Sequence, residues 1–293
     1  MNGSPIVRVV FWMGGALLSF SAMAVSVREL SRAGMSIFEI LAIRSGAALV
    51  ILGVVLLLRP ELRIHARPQS MGLNILRNSV HYAAQYAWAY GVTMLPLALV
   101  FALEFTTPAW TALLAVLILH ERLTTSRVGV AILGLIGVLV ILRPGLASFN
   151  PAAGLVLLSA VGFAMMMVLT KKLTGTQSTF SIIFWMAVIQ LPLSLAGSNL
   201  AVFFDSNLYD LRHILPAIGV GVSGLASHLC LSNAFRAGDA TLVVPLDFMR
   251  IPLIAVVGWA FYGEVLDIWV LVGALIIIAG VLWNLRSEST RAT

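Results

Sequence analysis

Residues 97–123, LALVFALEFTTPAWTALLAVLILHERL, and residues 240–266, ATLVVPLDFMRIPLIAVVGWAFYGEVL, are two versions of one pattern. Each is an apolar run long enough to cross a bilayer as a helix, with one internal acidic residue, Glu104 or Asp247, and a glutamate near its end. The two runs lie 143 residues apart and align without a gap. Because acidic side chains are costly inside a membrane, their recurrence at matching positions indicates a duplicated membrane protein.

The duplication extends outward from these runs in the same register. Across 99–143 and 242–286 the identical pairs are Leu99/Leu242, Val100/Val243, Leu103/Leu246, Phe105/Phe248, Ala112/Ala255, Glu121/Glu264, Leu123/Leu266, Ala131/Ala274, Gly137/Gly280, Val138/Val281, Leu139/Leu282, Leu142/Leu285 and Arg143/Arg286, and Phe20/Phe163 extends the register to the first and sixth helices. We assign residues 1–146 to a first five-helix repeat and 147–293 to a second. Since five is odd, the second repeat would enter the membrane in the opposite orientation, which is the plan of many secondary transporters.

The composition of the chain is that of a membrane protein. Of its 293 residues, 60% are hydrophobic and only 10% are charged, where a soluble domain carries about a quarter of charged residues. We predict an all-α membrane protein with ten transmembrane helices in two inverted five-helix repeats. The predicted spans are 7–27, 37–58, 72–94, 97–119, 126–142, 151–171, 180–197, 213–235, 240–262 and 266–285.

The charges indicate topology rather than a nucleic-acid partner. The net charge is +6, but the basic residues lie mainly in short links between apolar runs. Their distribution predicts a multi-pass protein of the inner membrane with both termini in the cytoplasm. Cys230 is the only cysteine, so no intrachain disulfide forms. No metal-ligand spacing and no ATP-binding loop is present, and we expect neither a metal nor a cofactor.

Several motifs resemble one family. They are the hairpin Tyr90–Pro96 with Leu97-Ala98-Leu99, Pro108, the block His120-Glu121-Arg122-Leu123-Thr124, the stretch Gly134–Pro144, and Gly263-Glu264-Val265-Leu266, which repeats the block. In order and doubling they are similar to the EamA family of the drug/metabolite transporter superfamily. The resemblance implies ten helices, an inverted repeat and a central substrate cavity, in a family whose members handle amino acids, nucleotide-like metabolites, carboxylates and drugs.

Polar residues inside the spans indicate the candidate site. The third span carries Asn74, Arg77, Asn78, His81 and Gln85 at helical spacing, so all five share one face. We expect Asn74 and Arg77 to snorkel at the cytoplasmic interface and the deeper His81 and Gln85 to line the cavity. The repeat register sets Gln85 opposite His228 and Glu104 opposite Asp247. An alternative to a pathway role is that Asp247 and Arg250, three residues apart, neutralise each other.

Two arginines point to the chemistry of the substrate. Arg44 and Arg250 stay charged and suit a carboxylate, so an anionic substrate group is expected unless Glu104 or Glu39 neutralises Arg44. A scaffold role for Arg44 is the other reading, since an arginine often stands there in the resembled family. The predicted substrate contacts are Arg44, His81, Tyr82, Gln85, Tyr86, Glu104, Phe105, His228, Asp247 and Arg250, and the proton-coupling candidates are Glu104, Asp247 and His228.

These residues predict a secondary active transporter or exporter of a small organic metabolite, with amino acids and carboxylate-bearing compounds favoured. It would work by alternating access, driven by protons or by exchange, as a monomer or weak homodimer in the lipid bilayer. The alternative of another class is an intramembrane serine hydrolase, because Gly221-Val222-Ser223-Gly224 contains a serine that His81 or His228 could activate. A channel is a third reading.

Two doubled features are predicted to be structural. Glu121 and Glu264 each follow an apolar run directly and are expected to cap the helix that comes next. Glycines at 129, 134 and 137, echoed at 273 and 280, are expected to let the fifth and tenth helices pack closely.

Overall fold

The structure is a computed structural model that describes residues 5–67, 69–119, 125–143, 150–204, 210–237, 246–247, 249–265 and 267–292. Within these ranges the chain is helical, without β-strands. The helices are α1 (Pro5–Arg32), α2 (Ile37–Leu58), α3 (Met71–Met94), α4 (Leu97–Glu104), α5 (Thr107–Leu119), α6 (Thr125–Leu142), α7 (Pro151–Thr174), α8 (Thr179–Ala196), α9 (Leu211–Ala237), α10 (Arg250–Tyr262) and α11 (Ile268–Ala292). Two short 3-10 helices, Pro60–Ala66 and Leu200–Phe204, lie in the links that follow α2 and α8.

Six helical segments are long and apolar enough to cross a membrane. They are Val7–Arg32, Ile37–Leu58, Leu97–Ile118, Pro151–Thr174, Thr179–Ala196 and Leu211–Leu231, and shorter apolar helices follow at Ala131–Leu142, Arg250–Tyr262 and Ile268–Trp283. α3 has 24 residues and is long enough as well, but its polar face lowers its hydropathy. The structure shows a multi-span helical membrane protein, and the count of ten spans stays a prediction.

The first span ends and the second begins through local signals. α1 stops at Arg32, and Gly34 takes a left-handed conformation with φ of 94° that reverses the chain. Ser36 and Glu39 then form a capping box, in which the Ser36 amide donates to the Glu39 carboxylate at 2.8 Å and the Glu39 amide donates to the Ser36 hydroxyl at 3.3 Å. The Glu39 carboxylate therefore has a structural task at the start of α2.

Helix packing is exchanged between the two halves. α1 packs along α9, and α3 packs along α7. The 143-residue register relates α1 to α7 and α3 to α9, so these two contacts are equivalent. α2 packs on its counterpart α8, and α6 on its counterpart α11. The described parts of α3 and α9 do not pack closely along each other, and the polar face of α3 is buried among helices of both halves.

The predicted span 97–119 is one membrane segment but two helices. α4 ends at Glu104 and α5 begins at Thr107. The cause is Pro108, which has no amide hydrogen to donate and whose ring clashes with the carbonyl four residues earlier. Thr106 and Thr107 donate their hydroxyls to the carbonyls of Leu103 and Glu104 at 2.8 and 2.6 Å. The break therefore places the Glu104 side chain at an interruption within the membrane segment.

The expected close packing of glycines is confirmed between α6 and α11. A side chain on Gly137 would meet the backbone oxygen of Gly273 at 2.7 Å, and one on Gly273 would meet the oxygen of Gly137 at 2.6 Å. Only hydrogen fits at either position. The two backbones can approach because both helices offer glycine at the same crossing.

Glu264 does not cap the helix that follows it, so that prediction is wrong. Its carboxylate accepts the amide of Leu97 at 2.8 Å, at the start of α4, and forms an ion pair with Arg28 of α1. α11 is capped by Asp267, which accepts the Trp269 amide at 2.9 Å. Gly263, with φ of 64°, turns the chain back after α10 and directs Glu264 toward the first half. Glu121, its repeat partner, lies outside the described residues.

Candidate functional site

The candidate site lies along the polar face of α3. Asn74, Asn78, His81, Gln85 and Trp88 recur at spacings of three and four, and every one of them is buried. A buried polar side chain must find a hydrogen-bond partner, either in the protein or in a ligand. The contacts along this face therefore show which of these side chains have partners in the protein and which could bind a ligand.

Arg77 does not snorkel, and neither does Asn74, so that prediction is wrong. Their exposed fractions are 5% and 0%. The Arg77 guanidinium donates to the Thr170 hydroxyl of α7 at 2.9 Å and to the side-chain oxygen of Asn78 at 2.6 Å. The Asn74 amide donates to the side-chain oxygen of Gln177 at 3.2 Å. α7 and the turn after it cover this end of α3, so the side chains bond to protein instead of reaching toward water.

His81 is the centre of a polar network. The amide nitrogen of Gln85 lies 2.9 Å from its Nε2 atom, and that of Gln190 in α8 lies 3.3 Å from its Nδ1 atom. The ring of His228, on α9, meets the His81 ring edge to face with centroids 6.4 Å apart. Gln85 and its repeat partner His228 therefore lie on either side of one histidine.

Arg44 in α2 is buried with an exposed fraction of 6%. It lines a small cavity of about 10 Å³, enough for one water molecule, together with Ser45, Met186, Gln190 and Gly224, among others. Neither proposed neutraliser reaches it: Glu39 caps α2 and accepts the Asn199 amide at 3.2 Å, and Glu104 pairs elsewhere. Among the described residues no carboxylate lies within ion-pair distance of Arg44.

Arg44 and Arg77 both lie close enough to His81 and His228 to act on them electrostatically. These four residues, Arg44, Arg77, His81 and His228, form what we call the basic cluster. Burying a cation is costly unless a partner compensates it. The described ion pairs give neither arginine a carboxylate, so the basic cluster suits an anion.

Glu104, Asp247 and Arg250 form a second group, the carboxylate triad. The Arg250 guanidinium lies 3.2 Å from the Glu104 carboxylate and 2.6 Å from that of Asp247. Trp88, the last member of the α3 face, donates its indole N–H to Glu104 at 2.8 Å. The pairing of Asp247 with Arg250 on one stretch of chain is thus present, but Glu104 from the other half shares the same arginine.

Aromatic rings enclose the arginine of the triad. Its guanidinium lies 4.2 Å from the ring centroid of Phe20, 5.6 Å from that of Phe101 and 5.0 Å from that of Phe105. Ring faces stabilise a cation in this arrangement. With all groups ionised the triad carries one negative charge in excess, because two carboxylates share one guanidinium.

Two predicted contact residues lie apart from both clusters. The Tyr86 ring packs on Phe38 of α2 with centroids 4.8 Å apart, and Tyr82 is buried beside Ser194 of α8. Both occupy the face of α3 next to the polar one. The structure places the other eight in two groups: Arg44, His81, Gln85 and His228 at the basic cluster, and Glu104, Phe105, Asp247 and Arg250 at the carboxylate triad.

Three participants were not among the predicted contacts. Gln190 bonds to His81, Arg77 belongs to the basic cluster, and Trp88 holds Glu104. Gln190 is a polar residue inside a predicted span, and Trp88 continues the three-and-four spacing of the α3 face. Both signals were available in the sequence.

The serine of the hydrolase alternative serves helix packing. Ser223 is buried, and its hydroxyl has no hydrogen-bond partner among the described residues, histidines included. The flanking Gly221 and Gly224 face Ala47 and Arg44 of α2 at distances that exclude a side chain. The glycines therefore bring α9 close to α2 and leave room for Arg44.

Comparison with known proteins gives the family. The family described as EamA-like transporter matches residues 7–143 and 150–286, so corresponding ends of the two matches lie 143 residues apart. An S-adenosylmethionine uptake transporter of Rickettsia prowazekii is 29% identical over 74% of this chain and 72% of its own. A riboflavin transporter of Rhizobium johnstonii is 31% identical over 70% of this chain and 67% of its own.

Similarity extends over nearly the full length in two further proteins. The pseudopaline exporter CntI of Pseudomonas aeruginosa is 26% identical over 93% of this chain and 94% of its own. A solved crystal structure, 16% identical, matches 95% of this chain and 98% of its own with a TM-score of 0.60, which shows a shared fold. The relatives are transporters of small metabolites, so the hydrolase alternative is wrong and this protein is a transporter rather than an enzyme. The predicted resemblance is confirmed: the chain belongs to the EamA-like transporter family.

Proposed function

We propose that this protein is a secondary active transporter of a small organic metabolite that carries an anionic group, an amino acid or another carboxylate. The observation that carries the proposal is the basic cluster: Arg44 and Arg77 are buried, and no described carboxylate pairs with either. A planar guanidinium binds a carboxylate through two parallel hydrogen bonds. A substrate anion would supply the compensation that the described carboxylates do not give these arginines.

Alternating access across the inner membrane follows from the duplication. The exchanged packing of α1 on α9 and α3 on α7 supports two five-helix repeats of opposite orientation, ten helices in all. The distribution of basic residues between the links supports placing both termini in the cytoplasm. Glu104 and Asp247 are repeat partners; Glu104 lies at the break between α4 and α5, and Asp247 lies three residues before α10 begins. Interrupted helices at a repeat interface are where such transporters bind substrates.

The relatives widen the choice of substrate and direction. They are named for the uptake of S-adenosylmethionine, for riboflavin and for the export of pseudopaline. We therefore include these compounds with amino acids and simple carboxylates in the set to be tested. The driving force is a proton gradient or exchange, with Glu104, Asp247 and His228 as the candidates to carry a proton.

The test is a thermal-shift screen of these compounds on purified protein, followed by counterflow in liposomes with each compound that binds. Arg44→Gln should weaken uptake of an anionic substrate roughly 30-fold, which corresponds to about 2 kcal/mol for one lost buried charge contact. Arg44→Lys should keep part of the activity, because it keeps the charge and loses the fork. Arg63→Gln, on the exposed link after α2, is the matched control. Unchanged counterflow in Arg44→Gln would refute the proposal.

A further inference from the structure

We infer that the site binds its substrate as an extended zwitterion, with the anionic group at the basic cluster and a cationic group at the carboxylate triad. The inference rests on the proposed function and adds to it a second subsite of opposite charge. It follows from three features of the described residues: the charge of the triad, the buried polar atoms without partners, and the wall that joins the two clusters.

The charge of the triad requires a positive partner. Glu104 and Asp247 both contact Arg250, whose side chain is only 7% exposed. One guanidinium neutralises one of the two carboxylates, and the aromatic rings around it offer no further positive charge. A buried carboxylate in excess is stable only with a cation or a proton. A substrate ammonium group meets this need.

Both clusters contain buried polar atoms without described partners. Beside the basic cluster Asn78 is fully buried, and its amide nitrogen is unpaired while its oxygen accepts from Arg77; the side-chain oxygens of Asn74 and Gln85 are unpaired as well. At the triad, Asp247 has one carboxylate oxygen, Oδ1, buried and unpaired. The Nε atom of Arg250 is unpaired as well, but it belongs to the group already enclosed by rings. The Asn78 nitrogen is thus available to donate to an anion, and the Asp247 oxygen is available to accept from a cation.

One helix wall connects the two subsites. On the same face of α3, Arg77 and His81 belong to the basic cluster, and Trp88 holds the Glu104 carboxylate. The seven residues from His81 to Trp88 correspond to about 10 Å along a helix. Between them Gln85 is buried, and one end of its amide has no described partner. A substrate that reaches both subsites would thus carry its charges several bonds apart and offer a polar group between them.

The test uses a series of synthetic probes of increasing chain length on the wild-type protein in nanodiscs. The probes are ω-amino carboxylates of four to ten carbons, compared with alkanoates of equal length, and binding is followed by thermal shift and titration. We expect the ω-amino compounds to bind at least about tenfold more tightly than their alkanoates, as one additional compensated buried charge implies. The preference should peak at an intermediate chain length.

Two substitutions assign the subsites. Asp247→Asn should abolish the preference for the ω-amino compounds, whereas Arg44→Gln should weaken the binding of both series. Glu29→Gln, a half-exposed carboxylate outside the site, should alter neither. The midpoint of thermal unfolding without ligand verifies that each variant folds.

The outcomes separate this inference from the proposed function. Equal binding of both series to the wild type would overturn the inference, because the triad would then hold a proton, and would leave the anion site standing. A preference that survives both Asp247→Asn and Glu104→Gln would overturn it as well. Binding of neither series would refute the zwitterion, whereas the proposed function fails only if Arg44→Gln leaves counterflow unchanged.

Discussion

The position of the Arg44 side chain depends on one residue of a neighbouring helix, Gly224. The Arg44 side chain is buried, and the absence of a side chain on Gly224 of α9 leaves the space that it occupies. A side chain at 224 would lie 2.8 Å from the Arg44 Nε atom and 3.2 Å from its Cγ atom. These atoms belong to a flexible side chain, so a larger residue at 224 would move Arg44 rather than disrupt the fold.

Gly224→Ala should therefore impair transport more than stability. The added methyl group displaces the guanidinium from the basic cluster, and uptake of an anionic substrate should fall about tenfold, since even a small misplacement in a binding site is costly. Counterflow and the thermal midpoint measure the two effects. Gly53→Ala, where the methyl group would meet no atom within 4 Å, is the control. Normal transport in Gly224→Ala would show that the position of Arg44 is unimportant.

At the scale of helices, charged side chains join elements that are distant in the chain. Arg28 of α1 pairs with Glu264 and also donates to the carbonyl of Val92 at 2.8 Å, at the end of α3. Glu264 caps the start of α4 through the Leu97 amide. One ion pair therefore links α1, the turn between α3 and α4, and the end of α10 on one side of the protein.

Substituting one member of this ion pair should destabilise the protein by leaving the other member buried without its partner, so the effects of the two substitutions should not be additive. Arg28→Met and Glu264→Gln should each lower the free energy of unfolding by about 3 kcal/mol, because each leaves one uncompensated buried group. The double variant should lose less than the sum of the two, since neither charge remains. Chemical unfolding in detergent measures this cycle. The exposed pair Arg32–Glu29, with side chains 58% and 41% exposed, should contribute at most about 1 kcal/mol. Additive effects at Arg28 and Glu264 would contradict the described contact.

The crossing of α6 and α11 gives a prediction of a different kind. Gly137→Ala places a methyl group against the backbone of Gly273, which cannot move as a side chain can. We expect a loss of about 1–3 kcal/mol, the usual cost of overpacking. The thermal midpoint should fall in this variant and stay constant in Gly72→Ala, where no atom lies within 4 Å of the added group. Equal midpoints would mean that the helices are farther apart than described.

At the scale of the whole molecule, both clusters are made of residues from both halves. The exchanged contacts of α1 with α9 and α3 with α7 mean that neither half surrounds α3 by itself. The basic cluster takes Arg44, Arg77 and His81 from the first half and His228 from the second. The carboxylate triad takes Glu104 from the first and the other two residues from the second. Movement of one half relative to the other would therefore change both clusters together.

Orientation in the membrane is testable at the same scale. In a Cys230→Ala background, Glu61→Cys should react with a membrane-impermeant maleimide only after the cells are opened, because the link after α2 is predicted to be cytoplasmic. Ala201→Cys, in the link after α8, should react in intact cells. Both positions are exposed, so access depends on the side of the membrane. The reverse pattern would place both termini outside.

Sequence reasoning succeeded where the signal was local or repeated. Hydropathy alone identifies membrane helices, because a bilayer demands about 20 apolar residues in a row. The repeat register paired Glu104 with Asp247, and these two residues do converge, on Arg250. The predictions from the sequence failed for Arg77 and for Glu264, because their partners, Thr170 and the Leu97 amide, come from other helices. Spacing along one helix cannot state which neighbour will cover it.

By itself, then, the sequence determined the solvent, the duplication and the family of this protein, since hydrophobic length, a 143-residue register and short motifs are all readable along one chain. Only the tertiary structure decided which charges are compensated. Spacing already offered Asp247 as a partner of Arg250, but the structure adds Glu104 from the other half, while Arg44 receives no carboxylate among the described residues. The difference arises because the rotation and crossing of packed helices set which side chains meet, and those depend on contacts between residues far apart in sequence.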